Sequence, residues 1–516
     1  MKPTLTKSYM YLVINLGLKS IRGIIFNSTG DQLYSVSYPV HTTLYQKKVE
    51  QDPKEWKDLL NNILGAIKNK TDLSREIKYI SVTTSSSCIL GVDKEVKPVT
   101  PVMMVSDKRA EDISVEIASS PVYKKVNKIQ KITCATSSLV PKAVWYKRND
   151  TDIFNEIRYW MGAGEFLSHF FTKEIFSDPL NAGKSFYSSN EYNKELLNHF
   201  GINEDTLPPV VEIGELLKVD KTVIDEFSLS IDCKFVVCTY DAICAVLGSS
   251  TGEANNACDV SGTVTSVRLL SSEKREFSSN ILLSQKLDFL NKFMIGASNN
   301  LGGGIIEWYK QAFFDEDDPD VYTKIERLAN KSEIGSDGVI FLPYLLGERA
   351  PFKSPNASGS FFGLKRNSTI VQFSRAVLES TAFVTKDLID LIETSGIEVK
   401  SLTVSGGLAR FDLVNQIKAD VCNVPVYVVD NFESTSIGAY LIMTMSSGLE
   451  TSLEEALKKF VSIRKVIKPS QKGHQIYSET FKLYKKIREN FSDIYTEHSL
   501  LREKYRNHEN QIVRNL

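Results

Sequence analysis

The chain lacks any run of about 18 consecutive apolar residues, so no membrane-spanning helix is expected. It lacks CxxC spacing as well. Its seven cysteines, at 88, 134, 233, 238, 244, 258 and 422, are scattered, odd in number and without histidine companions. They read as free buried thiols of a reducing cytoplasm, which excludes a zinc site and a disulfide framework. An excess of one charge is missing too: Lys and Arg number 62 against 63 Asp and Glu, for a net charge of −1. That balance excludes a basic nucleic-acid-binding surface and an acidic disordered chain. The start, MKPTLTKSYMYLVINLG, has neither a long apolar run nor a small-residue cleavage site, so no signal peptide is expected and the location is read as cytoplasmic.

What is present is a globular composition, 42% hydrophobic and 24% charged over 516 residues. That length exceeds one core of about 100–200 residues, so at least two domains are expected. The most informative stretch is 256–270, NACDVSGTVTSVRLL, because it repeats in outline 11–26, YLVINLGLKSIRGIIF. Each is a β-rich run, a short turn with Gly and hydroxyl residues (Gly17 and Ser20; Gly262, Thr263 and Thr265), then a second β-rich run. A tight Gly turn between strands exposes backbone N–H groups that can hold a phosphate chain. Taken singly, either copy reads as an ordinary hairpin. Together they suggest two related halves that share one nucleotide.

Around these hairpins strands and helices alternate. Pro53 opens a helix with Trp56, Leu59, Leu60, Ile63 and Ile67 at helical spacing, and 77–84 is a buried strand running into Ser85, Ser86 and Ser87. Such alternation makes an α/β architecture. Helices are expected within 110–120, 140–150 and 162–173, and a loop at 177–190. The strand 234–239 gives way at Asp241 to a small-residue helix, and a carboxylate at the C-terminal end of such a strand stands where open α/β sheets bind ligands. Capping of the helix is the plainer role for Asp241; the stronger one is that of a base near an acceptor hydroxyl. Residues 248–256, GSSTGEANN, are the most linker-like interior segment and set the boundary of a first domain, 1–250. A second domain then covers 251–475, and 476–516 forms a packed helix and a charged tail. In the second domain Gly302–Gly304 lead into a helix, and SGGLAR at 405–410 joins a strand to a helix, two places where backbone can approach a phosphate or a flat base. GERAPFKSPNASG contains a Glu–Arg pair read as shaping a turn.

The order of these motifs resembles the FGGY carbohydrate kinases, of the actin, hexokinase and heat-shock ATPase superfamily, over roughly residues 9–490. The resemblance rests on NLGLKSIRG, VEQDPKEW, SDKRA, VPKAVWYKR, TYDAICAVLG, SGT at 261–263, FLPYLLGERAP, GSFFGL, SGGLAR and ESTSIGA. It implies two ribonuclease-H-like domains with ATP and a small sugar or polyol in an interdomain cleft that closes to exclude water. Residue by residue, it implies Asp241 as the base that takes the proton of the sugar hydroxyl. It also implies Gly17, Gly262, Thr263, Gly303, Glu307 and Gly407 beside the nucleotide, and Ser86, Ser87, Asp107, Arg109 and Asp241 around the sugar. ATP and Mg²⁺ follow as cosubstrate and cofactor, with neither nucleic acid nor membrane as partner, and a homodimer is left open.

Three departures stand out. Asn15 occupies the place of the Asp that helps hold Mg²⁺ through water, and Leu18 that of a Thr or Ser, which predicts weakened metal binding. Met104 and Val105 replace the aromatic residue of the WxDxR motif, and Ser86 and Ser87 replace the Met–His of xylulose kinases. GERAP with GSFFGL most resembles xylulose and gluconate kinases, which implies phosphorylation of a ketopentose such as xylulose, with glycerol and deoxy-sugars as alternatives. Asn15 sustains a rival reading, a non-catalytic sugar- or nucleotide-binding protein with a degenerate kinase site. A chaperone-like or filament-forming ATPase would leave SDKRA and GERAP unexplained.

Overall fold

The structure is a computed structural model. It describes residues 9–514 apart from 131, 276, 278–280, 316 and 431–432, and the side chains of 71 and 506–514 are outside the description. The first eight residues of the N-terminal stretch and the end of the C-terminal tail thus lie outside the described residues. Two compact units emerge, one of Met1–Gly248 with Thr435–Phe460 and one of Ser249–Ser434 with Val461–Leu516.

Unit 1 is built on β1 (Met10–Leu16), β2 (Ser20–Phe26), β3 (Gln32–Pro39), β4 (Ile77–Thr84), β5 (Leu216–Lys218) and β6 (Lys234–Val236), in the sheet order β5-β6-β4-β1-β2-β3. β1 pairs antiparallel with β2 and parallel with β4, and β4 pairs parallel with β6. The middle strands are buried on both faces, as parallel strands covered by helices must be, which is why 77–84 reads as a nearly unbroken apolar and hydroxyl run. Helix α1 (Pro53–Lys68) begins with Asp52 accepting from the Lys54 N–H and with Pro at the first turn, where no N–H is needed. It lays Trp56, Leu60, Ile63 and Ile67 against Leu12, Ile14, Ile80 and Val82 of the sheet. Helix α2 (Ala163–Thr172) joins that core through Phe166, Leu167 and Phe171. A smaller core gathers Trp160, Tyr146, Phe186 and Leu196 under the helical middle of the unit.

Unit 2 repeats the plan. Strands β7 (Asn256–Ser261), β8 (Thr265–Ser271), β9 (Leu283–Leu287), β10 (Lys292–Ser298), β11 (Ser401–Ser405), β12 (Val426–Val429) and β13 (Ile463–Ile467) lie in the order β9-β10-β8-β7-β11-β12-β13. β7 pairs antiparallel with β8 and parallel with β11, and β11 pairs parallel with β12. The run β10-β8-β7-β11-β12 therefore has the strand order and senses of β3-β2-β1-β4-β6 in unit 1. The repeated hairpins predicted two related halves, and their shared topology is the ribonuclease-H-like plan that the resemblance implied, an α/β fold of two actin-like units.

Two boundaries differ from a simple halving of the chain. Residues 435–460 belong with unit 1. They include nearly all of helix α8 (Ser434–Ser446), in which Ala439, Tyr440, Leu441, Ile442 and Met443 are all buried. A helix apolar on every side must be enclosed, and Gly438 lets it approach helix α4 (Asp241–Leu247) so closely that a Cβ there would lie 1.8 Å from the Cys244 carbonyl oxygen. Helix α9 (Gln471–Asn490) belongs with unit 2 instead, where Tyr477, Phe481, Tyr484 and Ile487 enter the core beside helix α6 (Ile370–Glu393). The segment 177–190 holds more order than a loop: Asp178 caps a short helix, α3 (Pro179–Ala182), and Tyr187–Ser188 pairs with Glu191–Tyr192.

Candidate active site

In unit 1 the C-terminal ends of β4 and β6 deliver the polar residues of the site. Thr83 Oγ1 donates to the Thr239 carbonyl (2.8 Å), tying the end of β4 to the segment after β6. Two residues on from each, Ser85 Oγ donates to Asp241 Oδ2 (2.8 Å). Asp241 begins α4 and is only half-buried. Ser86 Oγ donates to Asn181 Oδ1 (3.3 Å), and Ser86 and Ser87 are likewise half-buried. Ser85, Ser86 and Asp241 are thus brought together. Ser87 sits at φ 65°, a left-handed conformation that a non-glycine residue adopts at a cost. Lys142 offsets that cost: its buried ammonium donates to the carbonyls of Ser87 (2.8 Å), Met103 (3.1 Å) and Met104 (2.9 Å). Burial pulls the Lys142 pKa down to about 8. Its role was hidden inside VPKAVWYKR, and the available signal was a lysine among residues that the helix buries.

Asp107 and Arg109 form a different arrangement. Asp107 is fully enclosed, accepts from the Val49 N–H (2.9 Å) and is gripped by Arg109 Nη2 at 2.8 Å. Arg109 also pairs with Glu50 (2.7 Å) and lies over the Trp145 ring (4.9 Å). The carboxylate of Asp107 is therefore spent on the protein, and the resemblance-based sugar contact at this pair has only Arg109 to offer, itself 6% exposed.

Asn15 ends the first hairpin strand, is 7% exposed, and its Nδ2 donates to Ser436 Oγ of α8 (3.2 Å). The turn beyond it is closed by Gly17 N–H donating to the Ser20 carbonyl (2.9 Å). No cluster of three His, Cys, Asp or Glu side chains suited to a metal exists among the described residues. Mg²⁺ is ordinarily bound through one or two carboxylates with phosphates and water, so at this turn Asn15 would offer it only a neutral amide oxygen.

Beneath the site lies a cavity of about 20 Å³, room for a single water, bordered by Thr84, Glu165, Ser177, Asp178, Asn181 and Thr239. Glu165 accepts from Ser177 Oγ (2.5 Å) through one oxygen, and the other has no hydrogen-bond partner. Burial pushes its pKa up to about 7 and raises that of Asp178 as well.

In unit 2 three glycine segments meet. Gly303 N–H donates to the Gly262 carbonyl (2.8 Å) and Gly302 N–H to the Thr263 carbonyl (2.8 Å). Neither glycine tolerates a Cβ: at Gly302 it would lie 2.3 Å from Thr265 Oγ1 and at Gly303 2.5 Å from the Gly262 oxygen. Gly406, at φ 83°, packs on the Ser261 carbonyl in the same way, and Gly407 opens the short turn that follows. Gly262 and Thr263 are exposed. Glu307 lies in the first turn of α5 (Gly304–Phe313), exposed, and accepts from the Tyr322 hydroxyl. Behind the 261–263 turn Asp259 and Lys418 of helix α7 (Asp412–Cys422) form an ion pair at 2.6 Å, both side chains almost completely buried, with Ser261 and Thr385 hydroxyls donating to the same carboxylate. The Glu and Arg of GERAP do not pair with each other as a turn-shaping ion pair would. Glu348 accepts the N–H groups of Asn300 and Arg349, while Arg349 donates to the carbonyls of Ser298 and Asn299.

Two α/β units of ribonuclease-H-like plan, one with a strand-end carboxylate and the other with three glycine segments brought together, define the actin-like ATPase fold. The chain belongs to the FGGY family of carbohydrate kinases: the model of the family's N-terminal domain matches residues 10–248 and that of its C-terminal domain residues 260–447. It is therefore a phosphotransferase that acts on a sugar and uses ATP. Among curated proteins it is 26% identical to the xylulose kinase of Staphylococcus epidermidis over 487 residues, 92% of this chain and 96% of that one. Among solved structures it resembles the gluconate kinase of Lactobacillus acidophilus (TM-score 0.86, 22% identity, 95% of this chain and 100% of that one). The ligand-bound xylulose kinase of the same organism is similar (TM-score 0.85, 22% identity, 95% and 100%). At such identities the two structures show the shared fold alone. No helix among the described residues is long and apolar enough to cross a membrane.

Proposed function

We propose that the protein transfers the γ-phosphate of ATP to a hydroxyl of a ketopentose such as xylulose, with Asp241 as general base. The observation that carries this reading is the Ser85–Asp241 hydrogen bond at the C-terminal ends of two parallel strands, which holds a half-buried carboxylate in one orientation. A loose phosphoryl-transfer transition state asks the protein for positioning and for an acceptor of the alcohol proton. Asp241 accepts that proton as the sugar oxygen forms its bond to phosphorus and ADP departs. Ser86, Ser87 and Arg109 orient the sugar. Gly17, Gly262, Thr263, Gly303, Glu307 and Gly407 contact the nucleotide, the N–H groups of Gly17, Gly262 and Gly303 shaping the turns through the carbonyls of Ser20, Val264 and Gly262 so that the backbone can come close to phosphate. Mg²⁺, when bound, neutralises phosphate charge, and Asn15 would contact it through water. The xylulose kinase relative supports the choice of sugar.

A second reading, a sugar- or nucleotide-binding protein without turnover, is favoured by the neutral Asn15 alone. The test is ADP release with ATP and Mg²⁺ against a panel of ketoses, aldonates and polyols. Stimulation by a ketopentose supports the kinase reading. A flat panel with calorimetric binding of ATP or sugar supports the second.

A further inference from the structure

We infer that Asp178 and Asn181 set the hydrogen-bonding polarity of the sugar site, fixing Ser86 as an acceptor so that the site takes sugar hydroxyls and disfavours a carboxylate at that position. This inference rests on the kinase reading.

The argument begins at Asp178, which is 5% exposed. One of its oxygens accepts from Thr239 Oγ1 (2.9 Å) and from the N–H groups of Leu180 (3.0 Å) and Asn181 (3.2 Å). The other accepts from Asn181 Nδ2 at 2.7 Å. A carboxylate can only accept, so the Asn181 amide must present its nitrogen to Asp178 and its oxygen to the opposite side. That oxygen faces Ser86 Oγ, which must then donate. The single proton of Ser86 is thereby spent inside the protein, and what remains for a ligand is lone pairs. Ser85 spends its proton in the same manner on Asp241. The polar groups that Ser86 and Asp241 turn toward a substrate are all acceptors, matched by adjacent hydroxyl donors and mismatched by a carboxylate. A site built to bond a hydroxyl discriminates strongly against a group that leaves it unpaired. Asp178 also fixes the approach to Asp241 through Thr239, so it is a positioning residue for both halves of the site.

Asp178→Asn keeps the cap and the Thr239 bond but turns an amide nitrogen toward Asn181. Asn181 then flips, and Ser86 receives a hydrogen bond instead of giving one. The double variant Asp178→Asn with Asn181→Asp restores the original polarity with the charge moved from position 178 to position 181. Asn181→Ala leaves the Asp178 bonds to Thr239 and the backbone in place and removes only the acceptor for Ser86, so it serves if the first variant fails to fold. Calorimetric titration with D-xylulose, D-gluconate and ATP is the experiment, alongside KM for sugar and for ATP. The expected result is a loss of about tenfold in D-xylulose affinity for Asp178→Asn and for Asn181→Ala, recovered in the double variant, with ATP affinity unchanged. D-gluconate should gain relative to D-xylulose in Asp178→Asn. Unchanged D-xylulose affinity in both single variants, or equal losses for ATP and sugar, would overturn the polarity argument while leaving the kinase reading intact. A wild-type protein that neither binds nor turns over any sugar of the panel would overturn both.

Discussion

The two glycine turns are made on one plan and supported in opposite ways. The turn after β1 is backed by neutral groups, the Asn15 amide donating to the Ser436 hydroxyl. The turn after β7 is backed by the buried Asp259–Lys418 ion pair, with Ser261 and Thr385 completing the carboxylate's bonds. Repeated topology therefore does not carry repeated electrostatics. Charge beneath the second turn is locked within the protein, whereas Asp241 in unit 1 is half-buried and accepts from Ser85. A cut beneath the second turn should accordingly cost more stability than one beneath the first.

The largest expected effect sharpens the chemical side of this contrast. Asp241→Asn keeps the Ser85 hydrogen bond but removes the base, and kcat should fall by about 10²–10⁴-fold with ATP affinity retained, read from steady-state rates and calorimetry. The structural side is tested by Lys418→Met, which strands Asp259 in a buried site and should cost about 3–5 kcal/mol in urea unfolding. Ser436→Ala, the equivalent cut beneath the first turn, should cost only about 1–3 kcal/mol. Equal losses from the two would erase the distinction. Asn15→Asp supplies the missing charge and should tighten Mg²⁺ by about tenfold in titrations of activity against Mg²⁺.

The smallest effect concerns pH. Burial pushes Glu165 in unit 1 and Glu348 in unit 2 up to about 7 each, well above an ordinary glutamate. A carboxyl whose pKa is raised by folding contributes stability below its unfolded value, and that contribution is lost as pH rises through the folded value. Melting temperature should therefore fall between about pH 5 and about pH 8, and Glu165→Gln should flatten the curve by removing the charge that its unpartnered oxygen cannot satisfy.

Much of the fold was legible because it is local: Gly17 and Gly262 mark hairpins, Pro53 opens a helix, and 77–84 is a strand as read. Residues 435–460 were assigned to the second half because chain order was the only guide, and the all-round burial of α8 becomes visible only with its neighbours in place. The loop reading at 177–190 passed over a usable signal, Asp178–Pro179, a cap followed by a first-turn proline. At the candidate site, the strand end pointed to Asp241, and the resemblance alone pointed to Ser86 and Ser87. Their supports were not legible, since Asn15 and Ser436 are 421 residues apart and Ser85 and Asp241 156 apart. Asp107 and Arg109 were named from a short motif, which does not reveal that they bind each other and that the carboxylate also accepts from Val49.

The most direct test of the account is the mass of D-xylulose after incubation with the protein, ATP and Mg²⁺. The account predicts the sugar gaining one phosphate with the wild type and none with Asp241→Asn. Unmodified sugar with the wild type, or equal phosphorylation by the variant, would contradict it.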